Sequence, residues 1–279
     1  MEWTPGGAGS GIARMLHGLI HHLPACNVRA RGLVTGTANA AWEAPVTPVA
    51  STSSPLPIRL WAMRRALKRA VDRQEPDLIA VHFALYTLPL LDRVASHPRV
   101  VHFHGPWALE SEAEGEAKWR VRVKRWLERP VYHRASRCIV LSQAFRQILV
   151  REYGVPASRI RIVPGGVDVS RFDPACSRAE ARDRLGWTEA RPIVLTVRRL
   201  VQRTGLGRLV DAMTTVAARV PDVLLLIAGT GPLASSLQSR IEAAGLASNV
   251  RLVGFVPEDA LPLAYRAADL SVVPTRSLE

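Results

Sequence analysis

The chain has 279 residues, 48% of them hydrophobic, and a mean hydropathy of +0.06, which excludes a disordered chain and suits about two domains. Its three cysteines, without a C-x-x-C pair, favour neither a disulfide framework nor a thiolate zinc site, and no uncharged apolar run approaches the roughly 18 residues of a membrane span. The net charge of +13 favours an anionic partner (a phosphorylated small molecule, a membrane surface or nucleic acid) unless it reflects only an arginine-rich coding bias.

The first half of the chain alternates short β-branched runs with amphipathic stretches of helical length. This alternation predicts parallel strands joined by crossover helices, the arrangement of an α/β protein. Strands are predicted at residues 28–34, 77–83, 99–104, 137–142 and 160–164, and helices at 11–23, 57–73, 112–134 and 143–153. The proline- and serine-rich stretch 44–57 predicts a long surface loop.

The second half repeats this rhythm after residues 163–175, where prolines, two adjacent glycines and two aspartates favour turns and predict a hinge. Strands are predicted at residues 193–197, 223–228, 250–253 and 270–273, and helices at 206–219, 233–244 and 259–267. We therefore expect two Rossmann-like domains with parallel sheets, at residues 1–165 and 166–279. The sequence stops at Glu279, directly after the last predicted strand, so we expect an incomplete second domain.

A glycine-rich segment near the N-terminus contains Gly6, Gly7, Gly9 and Gly11 and directly precedes a predicted helix. Such glycines expose backbone amides at a helix N-terminus, where an anionic or hydroxylated ligand could bind. No strand is predicted before this segment, although a turn of this kind normally joins a strand to a helix, so an upstream strand is expected to be missing. The alternative is a tight turn without a ligand.

Two histidines stand at the end of the strand predicted at residues 99–104. His102 and His104 share one face because side chains alternate along a strand, and His104 falls at the edge where open parallel sheets bind ligands. An imidazole there can donate a hydrogen bond to a sugar hydroxyl or, when charged, favour a diphosphate. We interpret His104 as functional and His102 as a histidine satisfied within the sheet.

An arginine cluster follows the strand predicted at residues 193–197. Arg198, Arg199 and Arg203 precede Gly205 and a predicted helix. Guanidinium groups beside a helix N-terminus suit a diphosphate, because arginine offers forked donors and permanent charge. A solvated basic loop is the alternative, and the position at a strand end favours the diphosphate.

Two more strand ends fall at the same predicted edge. Gly229 and Gly231 follow one apolar run and allow close backbone approach by a ligand, while Phe255 and Val256 follow the next strand. Each could be an ordinary strand-to-helix turn. Together with the arginines they line the carboxyl edge of one sheet, where such folds bind nucleotides.

A basic segment between Lys118 and Arg134 carries seven lysines and arginines against one glutamate. Trp119, Val123, Trp126 and Leu127 lie on one face of it at helical spacing. A basic amphipathic helix can lie on an anionic membrane surface. The alternative is that the apolar stripe packs against the sheet and the charges are solvated.

Seven segments occur in a fixed order along the chain: HFHGPWALES, SRCIVLSQAF, YGVPASRIRIVPGGVDVSRFDP, VRRLVQRTGL, AGTGPL, NVRLVGFVP and ADLSVVPTRSLE. As an ordered set they resemble the retaining glycosyltransferases of family 4, also called glycosyltransferase group 1, which have the GT-B fold. The resemblance implies transfer of a hexose from a nucleotide diphosphate sugar, with retention and without a required metal or other cofactor. It also implies that the C-terminal domain binds the donor and the N-terminal domain the acceptor.

The resemblance assigns roles by position. His104 resembles the family histidine near the donor sugar, and Arg199 the arginine that contacts the diphosphate. The glycine loop would lie beside the donor phosphates and the acceptor, and Phe255 with Val256 would approach the nucleobase. Glu279 resembles the first of two glutamates separated by seven residues.

The chain departs from the family pattern in two places. The lysine that the family usually carries before Gly205 is Thr204 here, and the neighbouring Arg203 could supply the charge. The second glutamate of the pair would lie beyond Glu279, so the chain as given could be inactive.

We therefore expect a cytoplasmic glycosyltransferase with a polysaccharide or glycolipid acceptor, peripheral on the inner membrane face. Two alternatives remain open: another GT-B enzyme with a soluble acceptor, and a non-catalytic nucleotide-sugar-binding remnant. Nucleic acid is not an expected partner, because the sequence lacks a recognisable nucleic-acid-binding module.

Overall fold

The computed structural model describes residues 11–36, 45–187 and 190–276. The described chain forms two compact units. The first comprises Met1–Leu109 and Ala117–Gly165, and the second comprises Glu110–Glu116 and Gly166–Glu279. Within the described ranges, no helix is both long enough and apolar enough to span a membrane.

The first unit contains two groups of parallel strands. Strands β1 (Gly32–Thr35) and β2 (Val46–Ala50) pair with each other, and β3 (Ile79–Val81), β4 (Arg99–Phe103), β5 (Arg137–Val140) and β6 (Ile160–Ile162) form a four-stranded sheet in chain order. The helices are α1 (Gly11–His22), α2 (Leu56–Arg73), α3 (Ala84–Thr87), α5 (Lys118–His133) and α6 (Gln143–Tyr153), together with the start of α4 (Trp107–Ala113), which belongs to the second unit from Glu110 onward.

Aromatic side chains form the centre of the first unit's core. Phe103 on β4 makes edge contacts with Tyr132 and Phe145, at ring-centroid distances of 5.4 and 5.5 Å, and Tyr132 lies 4.9 Å from Tyr153. Because side chains alternate along a strand, burial of Val101 and Phe103 on one face sends His102 and His104 to the other. The core of this unit therefore fixes which face carries the histidines.

The second unit is a four-stranded parallel sheet with helices on both faces. Its strands are β7 (Ile193–Val197), β8 (Leu224–Ala228), β9 (Val250–Gly254) and β10 (Leu270–Ser271), in the spatial order β10-β7-β8-β9. The helices are α7 (Arg178–Arg184), α8 (Leu206–Arg219), α9 (Ala234–Ala243) and α10 (Leu261–Ala267). The central strand β8 is buried throughout because its alternate side chains belong to separate cores on the two faces of the sheet.

The α/β class with parallel sheets is confirmed, and three local predictions were wrong. The predicted loop at residues 44–57 contains β2, whose Val46 is buried. The single helix predicted at 112–134 is two helices, α4 and α5, between which Gly115 adopts a φ of +83°. Helix α7 was missed, although Ser177 and Glu180 form a capping box at its start.

Candidate functional site

The strand order of the second unit defines where a ligand can bind. The chain runs outward from β7 through β8 to β9, and then returns to place β10 on the other side of β7. Because the chain order reverses between β7 and β10, the carboxyl ends of these two strands form the crevice in which open parallel α/β sheets bind ligands. Arg198 and Arg199 directly follow β7, and Thr275 lies shortly after β10.

The two arginines after β7 have different surroundings. Arg198 is half-buried, and its guanidinium donates a 2.7 Å hydrogen bond to Oγ1 of Thr275. Arg199 is exposed, and its side chain makes no hydrogen bond or ion pair to any residue within the described ranges. Arg198 thus links the two strand ends of the crevice, while the charge of Arg199 is available to an anionic ligand.

The glycines that follow β8 are required by the protein's own backbone. A Cβ atom on Gly229, whose φ is +137°, would lie 1.9 Å from the carbonyl oxygen of Arg198. A Cβ on Gly231 would lie 2.4 Å from the carbonyl oxygen of Leu200. Both glycines therefore let the segment Arg198–Leu200 pack against the end of β8. Contact between these glycines and a donor remains a prediction.

The turn before α8 holds Thr204 and Arg203 through contacts within the protein. Thr204 is buried, and its hydroxyl donates to the carbonyl oxygens of Arg199 and Val201, at 3.0 and 2.7 Å. Arg203 lies at ion-pair distance from carboxylates of Glu110 (3.7 Å) and Glu114 (3.8 Å), which belong to the same compact unit. Arg203 therefore already has anionic partners in this structure.

The residues after β9 divide into a core side chain and an exposed one. Val256 packs against the hydrophobic core on one face of the sheet. Phe255 is 65% exposed, so its ring is accessible to a planar ligand such as a nucleobase. A cavity of about 480 Å³ also opens in this unit beside Gly205, between α8 and the start of α9, and Arg208, Arg240 and Arg276 contribute to its lining.

Three histidines meet at the carboxyl edge of the first unit's sheet. His82 directly follows β3, His102 lies within β4, and His104 directly follows β4. The His82 ring stacks on His102 with centroids 4.4 Å apart and an interplanar angle of 12°, and on His104 at 5.3 Å. Nδ1 of His82 lies 3.0 Å from Nε2 of His104, a hydrogen-bond distance.

The three imidazoles are uncharged at neutral pH. Burial, together with repulsion from the other two histidines, lowers the pKa of His82 to about 3. Burial and repulsion from His102 lower the pKa of His104 to about 4, and burial also lowers the pKa of His102. His102 was predicted to have its hydrogen bonds satisfied within the sheet. Its Nδ1 atom is nevertheless buried without a hydrogen-bond partner in the described part of the chain.

A buried carboxylate that the sequence analysis did not single out fixes the segment after His104. Glu128 on α5 is 1% exposed and accepts hydrogen bonds from the amides of Trp107 and Ala108 at the start of α4. It also accepts hydrogen bonds from the hydroxyls of Tyr132 and Tyr153, at 2.8 and 2.7 Å. Burial raises the pKa of Glu128, and these four hydrogen bonds oppose that rise.

Four predicted site residues, Gly6, Gly7, Gly9 and Glu279, lie outside the described residues. Among the residues that are described, no group of three or more histidine, cysteine, aspartate or glutamate side chains could hold a metal ion. The described residues thus give two separate candidate sites, the arginine crevice in the second unit and the histidine cluster in the first.

Two compact units, each with parallel strands and helices, are the components of the GT-B fold class. A family model for glycosyltransferase family 4 matches residues 9–171, and a model for glycosyl transferases group 1 matches residues 177–279. The chain therefore belongs to glycosyltransferase family 4.

Curated relatives include one enzyme named for a lipid acceptor and one named for the sugar that it transfers. The chain is 31% identical over 191 residues to the GDP-mannose-dependent alpha-(1-6)-phosphatidylinositol monomannoside mannosyltransferase of Mycolicibacterium smegmatis, covering 68% of this chain and 47% of that protein. It is 30% identical over 191 residues to the alpha-D-kanosaminyltransferase of Streptomyces kanamyceticus, covering 67% of this chain and 49% of that one. The chain thus spans about half the length of these curated relatives.

Solved structures match the fold over almost the whole chain. Sucrose-phosphate synthase from Thermosynechococcus elongatus matches with a TM-score of 0.76 at 22% identity, over 96% of this chain and 70% of that one. HepE from Anabaena, solved in complex with UDP, matches with a TM-score of 0.70 at 20% identity, over 99% of this chain and 73% of that one. At these identities the likeness establishes the fold.

Proposed function

We propose that the protein is a retaining hexosyltransferase that uses a nucleotide diphosphate sugar as donor and a polysaccharide or glycolipid as acceptor. The observation that carries the proposal is Arg199, an exposed arginine without a protein partner in the described ranges, at the carboxyl end of β7. Membership of glycosyltransferase family 4 supports the reaction class. HepE, which shares the fold, was solved with UDP, which supports a nucleoside diphosphate as the ligand of the crevice.

The chemistry proposed for the second unit is stabilisation of the leaving group. As the bond between the anomeric carbon and the donor phosphate breaks, negative charge develops on the diphosphate. Arg199, with Arg198 held in place by Thr275, would bind that charge without reorganisation, and exposed Phe255 would meet the nucleobase. We propose that no metal is required, because the arginines supply the positive charge.

The roles proposed for the remaining site residues concern the sugar. His104, uncharged at neutral pH, would hydrogen-bond a hydroxyl of the donor hexose, and Glu279 would contact the same sugar. Gly6, Gly7 and Gly9 would place backbone amides beside the donor phosphates, while Arg203, Gly229 and Gly231 would complete the donor side.

Replacement of Arg199 tests the donor site. Arg199→Ala should weaken binding of GDP or UDP about tenfold to a hundredfold, because a hydrogen bond to a charged group contributes roughly 1.5–3 kcal/mol. Arg219→Ala, at the exposed C-terminal end of α8, is the matched control and should leave affinity unchanged. Calorimetric titration measures both. Equal affinity in the wild type and the Arg199 variant would remove Arg199 from the site, and chelation of metal ions should change neither value.

Two alternatives are separated by product analysis. A non-catalytic remnant would bind the nucleotide but transfer no sugar to any acceptor. An enzyme with a soluble acceptor would yield a water-soluble product. The proposed enzyme should instead transfer radiolabelled hexose to a lipid or polysaccharide fraction, with the anomeric configuration of the donor retained in the product.

The exposed face of α5 supports a membrane-associated acceptor. Trp119, Val123 and Trp126 are 64, 47 and 74% exposed and only Leu127 of this stripe is half-buried, so the interpretation in which the stripe packs against the sheet was wrong for these three residues. The buried side of α5 carries other residues, namely Val121, Glu128, Val131 and Tyr132. Since the only acidic side chain of α5 is buried, the charged side chains that remain exposed beside the tryptophans on this helix are all basic.

We therefore propose that α5 rests on the anionic inner face of a membrane, with the tryptophan rings at the level of the lipid headgroups. The similarity to a phosphatidylinositol monomannoside mannosyltransferase supports a lipid-linked acceptor. This orientation would bring a lipid-linked acceptor to the first unit from the membrane surface.

Vesicle binding tests the membrane proposal. The protein should co-sediment with phosphatidylglycerol-containing vesicles more than with pure phosphatidylcholine, and the double variant Arg122→Glu/Arg129→Glu should weaken this binding more than tenfold, because each surface cation contributes about 1 kcal/mol. Both arginines are exposed on α5, and Arg219→Glu in the second unit is the control. Equal binding of both vesicle types, or an unaffected double variant, would contradict the proposal.

A further inference from the structure

We propose that His82 is a positioning residue, which fixes the ring orientation and the tautomer of His104 through the hydrogen bond between their imidazoles. The inference deepens the proposed function, because it concerns the histidine placed beside the donor sugar. It rests on the geometry of the first unit's sheet edge and not on the identity of the donor.

The sheet register brings the two histidines together. Val81 on β3 pairs with Val101 on the neighbouring parallel strand β4, so the next residue on each strand, His82 and His102, points to the same face. His104, two residues beyond His102, shares that face. A histidine at the end of one strand thus meets a histidine at the end of the next, although 22 residues separate His82 from His104 in the sequence.

The contact holds His104 in two ways. The His82 ring stacks on His102 at 4.4 Å, and its centroid lies 5.3 Å from that of His104 at an interplanar angle of 23°, which restricts rotation of the His104 ring. The 3.0 Å distance from Nδ1 of His82 to Nε2 of His104 adds a hydrogen bond that depends on ring orientation. The neighbouring ring limits the tilt of the His104 imidazole, and the hydrogen bond selects one of the two orientations related by a 180° flip of that ring.

A hydrogen bond between two uncharged imidazoles contains one proton, so the tautomer of His82 determines the tautomer of His104. If His82 donates, His104 carries its own proton on Nδ1; if His104 donates from Nε2, its Nδ1 is an acceptor. The surroundings keep both rings uncharged, since the charged form of either is disfavoured by burial and by the adjacent histidines. A doubly protonated His104 with two donor nitrogens is therefore excluded near neutral pH.

The nitrogen left for a ligand is Nδ1 of His104, which makes no hydrogen bond to any residue in the described ranges. Because His82 occupies Nε2 of His104, Nδ1 of His104 is either a hydrogen-bond donor or an acceptor in every molecule, and it points in a fixed direction. Loss of His82 would leave His104 free to flip and to exchange tautomers, so that only a fraction of molecules would match the sugar hydroxyl.

Nitrogen NMR of the histidine rings tests this without substrate. In the wild type, the His104 ring should show one tautomer. His82→Phe keeps the stacking but removes Nδ1, and should give a mixture of His104 tautomers. His82→Asn places an amide near the position of Nδ1 and should restore one tautomer. His22→Phe, at the exposed end of α1, should leave His104 unchanged. Unchanged His104 signals in His82→Phe would overturn the inference.

Kinetics then separates this inference from the proposed function. His82→Phe should lower kcat about tenfold, the effect of one net hydrogen bond, with little change in nucleotide affinity, and His82→Asn should recover most of the loss. An altered His104 tautomer without any effect of His82 or His104 variants on transfer would support the positioning contact and overturn the proposed role of His104. A kcat loss in His82→Phe without a tautomer change would assign the loss to another cause and overturn the positioning role.

Discussion

Glu128 is the side chain whose replacement should most clearly disturb the first unit. Its two carboxylate oxygens accept four hydrogen bonds, from two backbone amides and two tyrosine hydroxyls, in a position that is 1% exposed. Glu128→Gln keeps the shape but turns one acceptor oxygen into an NH₂ donor. The tyrosine hydroxyl on that side can rotate to accept, whereas the backbone amide of Trp107 or Ala108 cannot.

The magnitude follows from the bonds that each substitution removes. Glu128→Gln loses one amide hydrogen bond and the charge of the acceptor, and should reduce the free energy of unfolding by about 2–3 kcal/mol. Glu128→Ala leaves all four donors without an acceptor and opens a cavity, so the loss should be about 4 kcal/mol or more. The exposed partner of Arg125, Glu152, is the control: Glu152→Gln should change stability by less than about 0.5 kcal/mol.

Urea unfolding measures these stabilities, and hydrogen exchange locates the change. The amides of Trp107 and Ala108 should lose protection in Glu128→Gln at urea concentrations where the rest of the first unit stays folded. If Glu128→Gln matched the wild type both in stability and in the protection of these two amides, the carboxylate would not hold the start of α4 and the reasoning would be refuted.

Two further predictions concern the strand ends. Gly229→Ala should destabilise the second unit by about 3 kcal/mol or more, because its Cβ would overlap the Arg198 carbonyl oxygen at 1.9 Å and its φ of +137° disfavours alanine. Gly207→Ala is the control: its Cβ would meet only ordinary contacts, so urea unfolding should show unchanged or slightly increased stability. Because the folded-state pKa values of His82 and His104 are lowered to about 3 and about 4, the unfolded chain binds protons that the folded chain does not, so stability should be full above about pH 6.5 and fall as pH drops towards 4. His82→Phe should make this fall shallower in urea unfolding at pH 7 and pH 5, and an identical fall would contradict the assignment.

The sequence predicted the parts of the fold that depend on local pattern. Alternating strands and helices, the parallel sheets and the positions of His104 and Arg199 at strand ends all follow from periodicity and chain order. Strand β2 was missed because Pro48 and its proline- and serine-rich neighbours indicate a loop, while the hydrogen bonds that make it a strand come from β1. Pairing with a distant segment decided this element.

The parts of the site that the sequence did not reveal depend on contacts between distant residues. Glu128 was read as the lone acid of a basic segment, although Tyr132 one helical turn later was a signal for a buried carboxylate. The proximity of His82 to His104 follows only from the register of β3 with β4, which the sequence does not reveal. On α5, the tryptophan stripe suggested the buried face, whereas the buried residues are Val121, Glu128, Val131 and Tyr132.

Calorimetric titration of the purified chain with GDP, UDP and their sugar conjugates tests the central claim most directly. The account predicts saturable binding of at least one nucleoside diphosphate and weaker binding of the corresponding monophosphate, since the arginines after β7 are placed to meet the diphosphate. A folded protein that binds none of these nucleotides, or that binds mono- and diphosphates equally, would contradict the account.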